Sequence, residues 1–287
     1  MSILNKVYTE IPVLDLEPYL AGENGALEEL GLQVRNIQET IGFWAVINHG
    51  VAWKKLEETY KQLKQFFALS DNEKRRYLIN ELSIGYVPPK STKYITSIIN
   101  ENTKKDLNET LITALERPPD HPLIKAGTRF VGPNQWPEGL PGFRDAIVSY
   151  QQEILRLGRK LLPIFSVALE LPPSYFDQYF TDPVMWSRNA HYPAEVPEKN
   201  QYGIAPHSDH SFLTMLPTTE VPGLQILSQN GNWIDAKYIE KGILVNTGEF
   251  LNRWTNGRFI PTPHRVMPPE KDRYSIATFF NPSPETV

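Results

Sequence analysis

From Val184 to the C-terminus the sequence repeats one pattern, a short apolar or alternating run followed by a turn. The runs are Phe212–Leu216, Leu224–Leu227, Trp233–Ile234, Ile243–Asn246, His264–Met267 and Tyr274–Phe280, with Pro-Gly, Asn-Gly and similar pairs between them. Runs this short bury an apolar face as strands, whose side chains alternate between two faces. Many such strands in succession predict a β-sandwich or jelly roll.

Upstream the period changes. Leu27, Leu30, Val34, Ile37 and Ile41 recur at spacings of three and four, which predicts an amphipathic helix ended by Gly42. Ile11–Leu16 and Phe43–Ile47 read as strands, and Asn48-His49-Gly50 turns the chain. Trp53, Leu56, Tyr60, Leu63 and Phe67 mark a second helix, and Ser70 with Glu73 predicts a capping box. A long helix is expected from about Pro141 to Leu171, with Phe143, Ile147, Tyr150, Ile154, Leu157 and Leu161 on its stripe. Residues 80–140, rich in Pro, Thr, Asn and Lys, read as loops with short strands. They form either a substrate-facing lid or a surface excursion. The expected fold class is mixed α/β, mainly β, with 287 residues forming a single domain. In it a helical and strand region of about 1–180 packs on a double-stranded β-helix (jelly roll) of about 181–287.

The formal net charge of −4 offers no basic footprint, so neither nucleic acid nor an anionic membrane is an expected partner. Lys74-Arg75-Arg76 reads as a solvated helix face. The chain has no cysteine, which excludes disulfides, thiolate ligands and cysteine nucleophiles. Met1–Glu10 has no apolar run resembling a signal peptide, and no stretch approaches the roughly 20 apolar residues of a membrane span. The expectation is a cytoplasmic monomer that acts on a small molecule.

The chemistry-bearing feature is His207-Ser208-Asp209. In an extended segment residues two apart share a face, so an imidazole and a carboxylate there can chelate one divalent ion. His264, opening a later run after Pro261-Thr262-Pro263, is the best third ligand. Two histidines and one carboxylate leave coordination positions open, the arrangement suited to Fe(II) and O2, although zinc would accept the same donors. In the last run Arg273, Ser275, Ala277 and Phe279 share one face. A guanidinium fork beside a hydroxyl on an inward face makes a carboxylate-binding pair.

These residues, His207-x-Asp209, His264 and Arg273-x-Ser275, resemble the isopenicillin N synthase-like branch of the Fe(II)/2-oxoglutarate-dependent dioxygenases. The likeness runs along nearly the whole chain, through Ile11–Leu16, Gly42-Phe43-Trp44, Asn48-His49-Gly50-Val51, Gly132–Pro137, Arg253–Arg258 and Pro263-His264-Arg265-Val266. It implies a distorted jelly roll around an iron ion held by His207, Asp209 and His264. It implies that Arg273 and Ser275 bind the distal carboxylate of 2-oxoglutarate, with Tyr192 as a further contact. The implied reaction couples oxidative decarboxylation of 2-oxoglutarate by O2, with ascorbate as a supporting reductant, to hydroxylation, desaturation or cyclisation of a substrate, as in specialised metabolism. Phe279 falls where the family places a substrate-facing aromatic, and His49 belongs to a fold motif.

Two departures stand out. Many plant members carry Asn two residues before the Tyr of the Tyr-Pro pair, where this chain has Ala190. After Asp209 come His210 and Ser211. His210 is expected at the pocket mouth, either bonding a polar substrate group or filling space. Arg188 pairs either with a substrate carboxylate or within a structural ion pair. Relatives that oxidise substrate without 2-oxoglutarate, a catalytically silent metal-binding sensor, and a zinc hydrolase are the competing readings.

Overall fold

The computed structural model describes residues 8–93, 99 and 102–286. Its strands are β1 (Val13–Asp15), β2 (Phe43–Ile47), β3 (Gly85–Val87), β4 (Glu109–Ala114), β5 (Val184–Tyr192), β6 (Ile204–His207), β7 (Leu213–Pro217), β8 (Leu224–Leu227), β9 (Trp233–Asp235), β10 (Ile243–Thr247), β11 (His264–Val266) and β12 (Arg273–Asn281). Its α-helices are α1 (Glu17–Leu20), α2 (Ala26–Gln38), α3 (Trp53–Phe67), α4 (Asp71–Lys74), α5 (Pro122–Lys125), α6 (Phe143–Ala168) and α7 (Glu249–Trp254). Among the described residues the strands form an eight-stranded sheet in the order β1-β2-β10-β7-β12-β5-β4-β3 and a four-stranded sheet in the order β6-β11-β8-β9. This is the mainly β, two-sheet architecture with supporting helices that the strand-and-turn pattern predicts.

The helices cover one side of the large sheet. Phe143, Ile147, Tyr150, Ile154, Leu157 and Leu161 are all buried, so the predicted stripe of α6 is its sheet-facing side. Gly158 on that stripe lets the helix come close, because a Cβ there would lie 3.1 Å from Phe280 and 3.2 Å from Met215. α2 and α3 pack on α6 and bury Leu30, Val34, Ile37, Leu56, Leu63 and Phe66 in the same core. Ser70 and Glu73 form the capping box on α4, with each side chain bonded to the other's backbone N–H. Among the described residues no helix is long and apolar enough to cross a membrane.

Two features differ from expectation, the strands that the first 180 residues give to the large sheet and the burial of Lys74. The region up to residue 180 supplies β1–β4 to the large sheet itself, so it does more than pack against a separate core. The stretch 80–140 contains β4, which pairs with β5 along its whole length. With β3 it supplies the short strands expected in that stretch. The part of the proposed lid at residues 94–98, 100 and 101 lies outside the described residues. Lys74 is buried instead of solvated, and its ammonium bonds Glu109 at 2.8 Å. Glu109 also accepts from the Tyr86 hydroxyl (2.5 Å) and bonds His191 Nδ1 (2.8 Å). A buried cation with a paired carboxylate is stable where a lone one would not be.

Candidate metal centre

β6 and β11 are antiparallel neighbours, and their register sets His264 directly opposite His207. A directly opposed pair points to one face, and the two imidazole centroids lie 4.4 Å apart. Asp209 follows just beyond β6. Its Oδ1 stands 3.8 Å from His207 Nε2 and 3.6 Å from His264 Nε2. One donor atom from each residue fits within a mutual distance of 4.8 Å, a cluster able to hold one metal ion.

Each of these donors is oriented from behind. His207 Nδ1 bonds the Ala205 carbonyl at 2.8 Å and His264 Nδ1 bonds the Thr262 carbonyl at 3.1 Å. With Nδ1–H donating to a carbonyl, Nε2 is left with its lone pair facing the centre. Asp209 Oδ2 accepts from the Thr214 hydroxyl (2.7 Å) and the Asn246 amide (2.8 Å), which leaves Oδ1 to the two histidines. Thr214 and Asn246 were not anticipated from sequence. The available signal was a polar residue inside each of two apolar strands, β7 and β10.

The segment after β10 fastens the loop that carries Asp209. Gly248 passes so close that a Cβ would lie 2.3 Å from the Ser211 carbonyl oxygen. Glu249 donates its N–H to the Asp209 carbonyl at 2.8 Å, and its carboxylate accepts from Ser208 at 2.7 Å. Burial and then the nearby His264 push the His207 pKa down to about 3. Burial alone would raise the Asp209 carboxyl, but His264, His207, Asn246 and Thr214 outweigh it and hold the group below its ordinary value. At neutral pH His207 is therefore a neutral imidazole and Asp209 a carboxylate, the protonation states a divalent metal needs.

Across the cavity stand the inner faces of β5 and β12. Arg273, Ser275, Ala277 and Phe279 all line it, as the alternation predicts, together with Arg188, Ala190 and Tyr192. Arg273 is 4% exposed. Its Nε donates to the Val221 carbonyl at 3.2 Å and its guanidinium lies 5.0 Å from the Tyr192 ring centroid. Its Nη1 is buried without a hydrogen-bond partner among the described residues. A dry guanidinium N–H beside a buried hydroxyl fits an incoming carboxylate. The donor set thus suits Fe(II), and this pair suits the far end of a dicarboxylate.

His210, expected at the pocket mouth, falls elsewhere, while His49 stands where a fold residue is expected. His210 does not line the cavity; its side chain is 78% exposed, with Nδ1 3.2 Å from Glu249. His49 lies away from the cavity, with Nε2 2.8 Å from the Lys241 carbonyl and Nδ1 accepting from Val51 N–H. It is a buried fold residue.

The sequence matches the profile of the 2OG-Fe(II) oxygenase superfamily over residues 183–282. It also matches the profile described as non-haem dioxygenase in morphine synthesis N-terminal over residues 11–139. The 2-oxoglutarate-Fe(II) type oxidoreductase hxnY of Emericella nidulans is 31% identical, covering 97% of this chain and 81% of that protein. The kihadalactone A synthase LFS of Citrus sinensis is 32% identical, covering 97% and 84% respectively. Among solved structures, a full-length Neurospora crassa protein in complex with alpha-KG and thymine is similar, with a TM-score of 0.83 at 26% identity. That match covers 96% of this chain and 87% of the other.

Proposed function

The chain belongs to the 2OG-Fe(II) oxygenase superfamily and is an Fe(II)- and 2-oxoglutarate-dependent oxidoreductase; on that premise we propose that His207, Asp209 and His264 are its iron ligands. Arg273 and Ser275, joined by Tyr192, bind the distal carboxylate of 2-oxoglutarate. The substrate is a small organic molecule, seated beside Phe279 and Arg188. The observation that carries this reading is the pairing of a satisfied, metal-ready triad with a buried Arg273 whose Nη1 has no partner among the described residues.

When bound, iron with 2-oxoglutarate and O2 supplies an oxidant able to take hydrogen from an unactivated C–H bond. The residues of the chain position and exclude. Thr214 and Asn246 hold Asp209 so that one oxygen faces the centre. The Ala205 and Thr262 carbonyls fix the imidazole tautomers. Arg273 orients the dicarboxylate through a fork that also neutralises its charge. The cavity walls, including Leu224, Val266 and Phe279, keep bulk water from the reacting carbon. No side chain is needed as a general base.

The product is an alcohol, a desaturated bond or a closed ring, in specialised metabolism, a setting in keeping with a relative named as a synthase in Citrus sinensis. The proposal extends to a cytoplasmic monomer, and a net charge of −4 is in keeping with a protein that has no nucleic-acid partner.

Anaerobic titration of apoprotein with Fe(II) and then 2-oxoglutarate tests the site. A visible metal-to-ligand charge-transfer band is expected only with both, and it fades in Arg273→Leu. Iron binding without any such band would point to an oxidase that works without 2-oxoglutarate.

A further inference from the structure

Arg273 stands at a weak place in the large sheet. β12 pairs with β7 only at Thr278–Phe280, so among the described residues the stretch 273–277 has β5 alone as its ladder neighbour. On the other side of β5, β4 begins at Glu109, opposite His191. The facing pair of Tyr192 and Arg273 lies one residue beyond that row, at a two-stranded tip. Two strands alone are marginally stable in water, and strand ends fray. A guanidinium that receives a carboxylate as a fork must nevertheless be held in one place. On the cavity side Arg273 is steadied by the Val221 carbonyl and the Tyr192 ring.

The opposite face carries further support. Adjacent residues of a strand point to opposite faces, so His191 lies behind Tyr192, in one row with Glu109 and Tyr274. Its side chain is largely buried, with Nδ1 2.8 Å from Glu109 Oε1 and Nε2 3.5 Å from Asp272 Oδ2. The imidazole stacks on Tyr274 with centroids 4.7 Å apart. Asp272 immediately precedes Arg273, and its Oδ1 accepts from the Ala194 N–H at 2.9 Å, just past Tyr192. As an imidazolium, His191 bonds Glu109 through Nδ1 and attracts Asp272 through Nε2. Lys74 fixes the Glu109 carboxylate from α4. A line of contacts therefore runs from α4 through β4 and β5 to the residue before Arg273.

We propose that His191 and Asp272 are positioning residues for the 2-oxoglutarate seat. Together they clip the start of β12 to the end of β5, and so fix Arg273 and Tyr192 on the other face. Neither lines the cavity, so both act through Arg273. This rests on the assignment of Arg273 to the cosubstrate made above.

The test is anaerobic titration of the Fe(II) protein with 2-oxoglutarate, read by the charge-transfer band, in His191→Phe, Asp272→Ala and the double variant. His191→Phe keeps a ring against Tyr274 and leaves Glu109 bonded to Lys74 and Tyr86. Each single variant is expected to raise the Kd for 2-oxoglutarate about tenfold. The double variant loses no more than either single one, because both changes open the same clip. In an Arg273→Leu background His191→Phe has no further effect. Fe(II) affinity, measured by competition with a chelator, changes less than about threefold, since His207 and His264 stand on the other sheet. Asp272→Ala alters a half-exposed side chain, so it decides the matter if His191→Phe does not fold. Parental 2-oxoglutarate affinity in Asp272→Ala, or an equal loss from His191→Phe with and without Arg273, overturns the inference while the cosubstrate reading stands. A parent that gives no band, or an Arg273→Leu variant with parental affinity, would refute the cosubstrate reading itself and the clip with it.

Discussion

The two walls of the central cavity are built on opposite principles. On the small-sheet side, His207, Asp209 and His264 have their outward atoms bonded to Ala205, Thr262, Thr214 and Asn246. Only the atoms facing the centre are left over. On the large-sheet side, the Nη1 of Arg273 is buried without a partner among the described residues. A metal ligand must be held at a fixed distance and in one protonation state before the ion arrives, so the protein completes its bonding. A wall that receives exchangeable molecules leaves its polar atoms for them, and tolerates the cost between turnovers. On the proposed assignment, the difference separates the seat of a resident ion from that of an exchanging cosubstrate.

That contrast sets the scale of what each substitution does. The largest effect belongs to the triad, where His207→Ala or Asp209→Ala abolishes 2-oxoglutarate-dependent succinate formation. A variant that turns over at the parent rate would remove that residue from the metal. Next comes Glu109, on the satisfied outer face of β4. Glu109→Leu leaves Lys74 charged and buried, at a cost of about 3–5 kcal/mol, read as a drop in denaturation midpoint. Burial would raise the Glu109 carboxyl, but His191, Lys74 and Tyr86 outweigh it and hold the group below its ordinary value. A depressed carboxyl stabilises the fold above its unfolded-state pKa of ~4.3 and loses that contribution as pH falls through the folded value. Glu109→Gln should therefore flatten the acid limb of the stability profile; an unchanged limb would show that the network contributes nothing there.

Arg273→Leu comes third. It removes one charged partner of the proposed cosubstrate, and the KM for 2-oxoglutarate should rise about 100-fold, near the middle of the range for a buried charge pair. An unchanged KM would free Arg273 from that role. The smallest effect tests the metal side from behind. Asn246→Leu or Thr214→Val keeps all three donors and should weaken Fe(II) affinity about 10–100-fold, measured by competition with a chelator. If affinity is unaltered, the bracing of Asp209 does not prepare the site.

Much of this was legible in the chain order because it depends on local rules. The alternation in β12 put Arg273, Ser275, Ala277 and Phe279 on one face, and all four line the cavity. The three-and-four spacing in α6 marked its buried stripe, and the capping box on α4 follows from four consecutive residues. His207-x-Asp209 is likewise a local pattern. What local rules leave open is which strands become neighbours. The β6–β11 pairing that makes His264 the cross-strand partner of His207 spans a long sequence separation. So does the pairing of β4 with β5, the strand that carries Arg188, Ala190 and Tyr192. Thr214 and Asn246 carry no mark of function in sequence, because a polar residue in a strand means little until its opposite number is known. His210 shows the converse, since its place beside Asp209 suggested the pocket and the turn of the loop sent it to solvent. The sequence by itself determined the elements, their buried faces and the triad's chemistry. The tertiary structure alone decided which polar atoms are satisfied and which still need a ligand, because that depends on partners brought together only by sheet register.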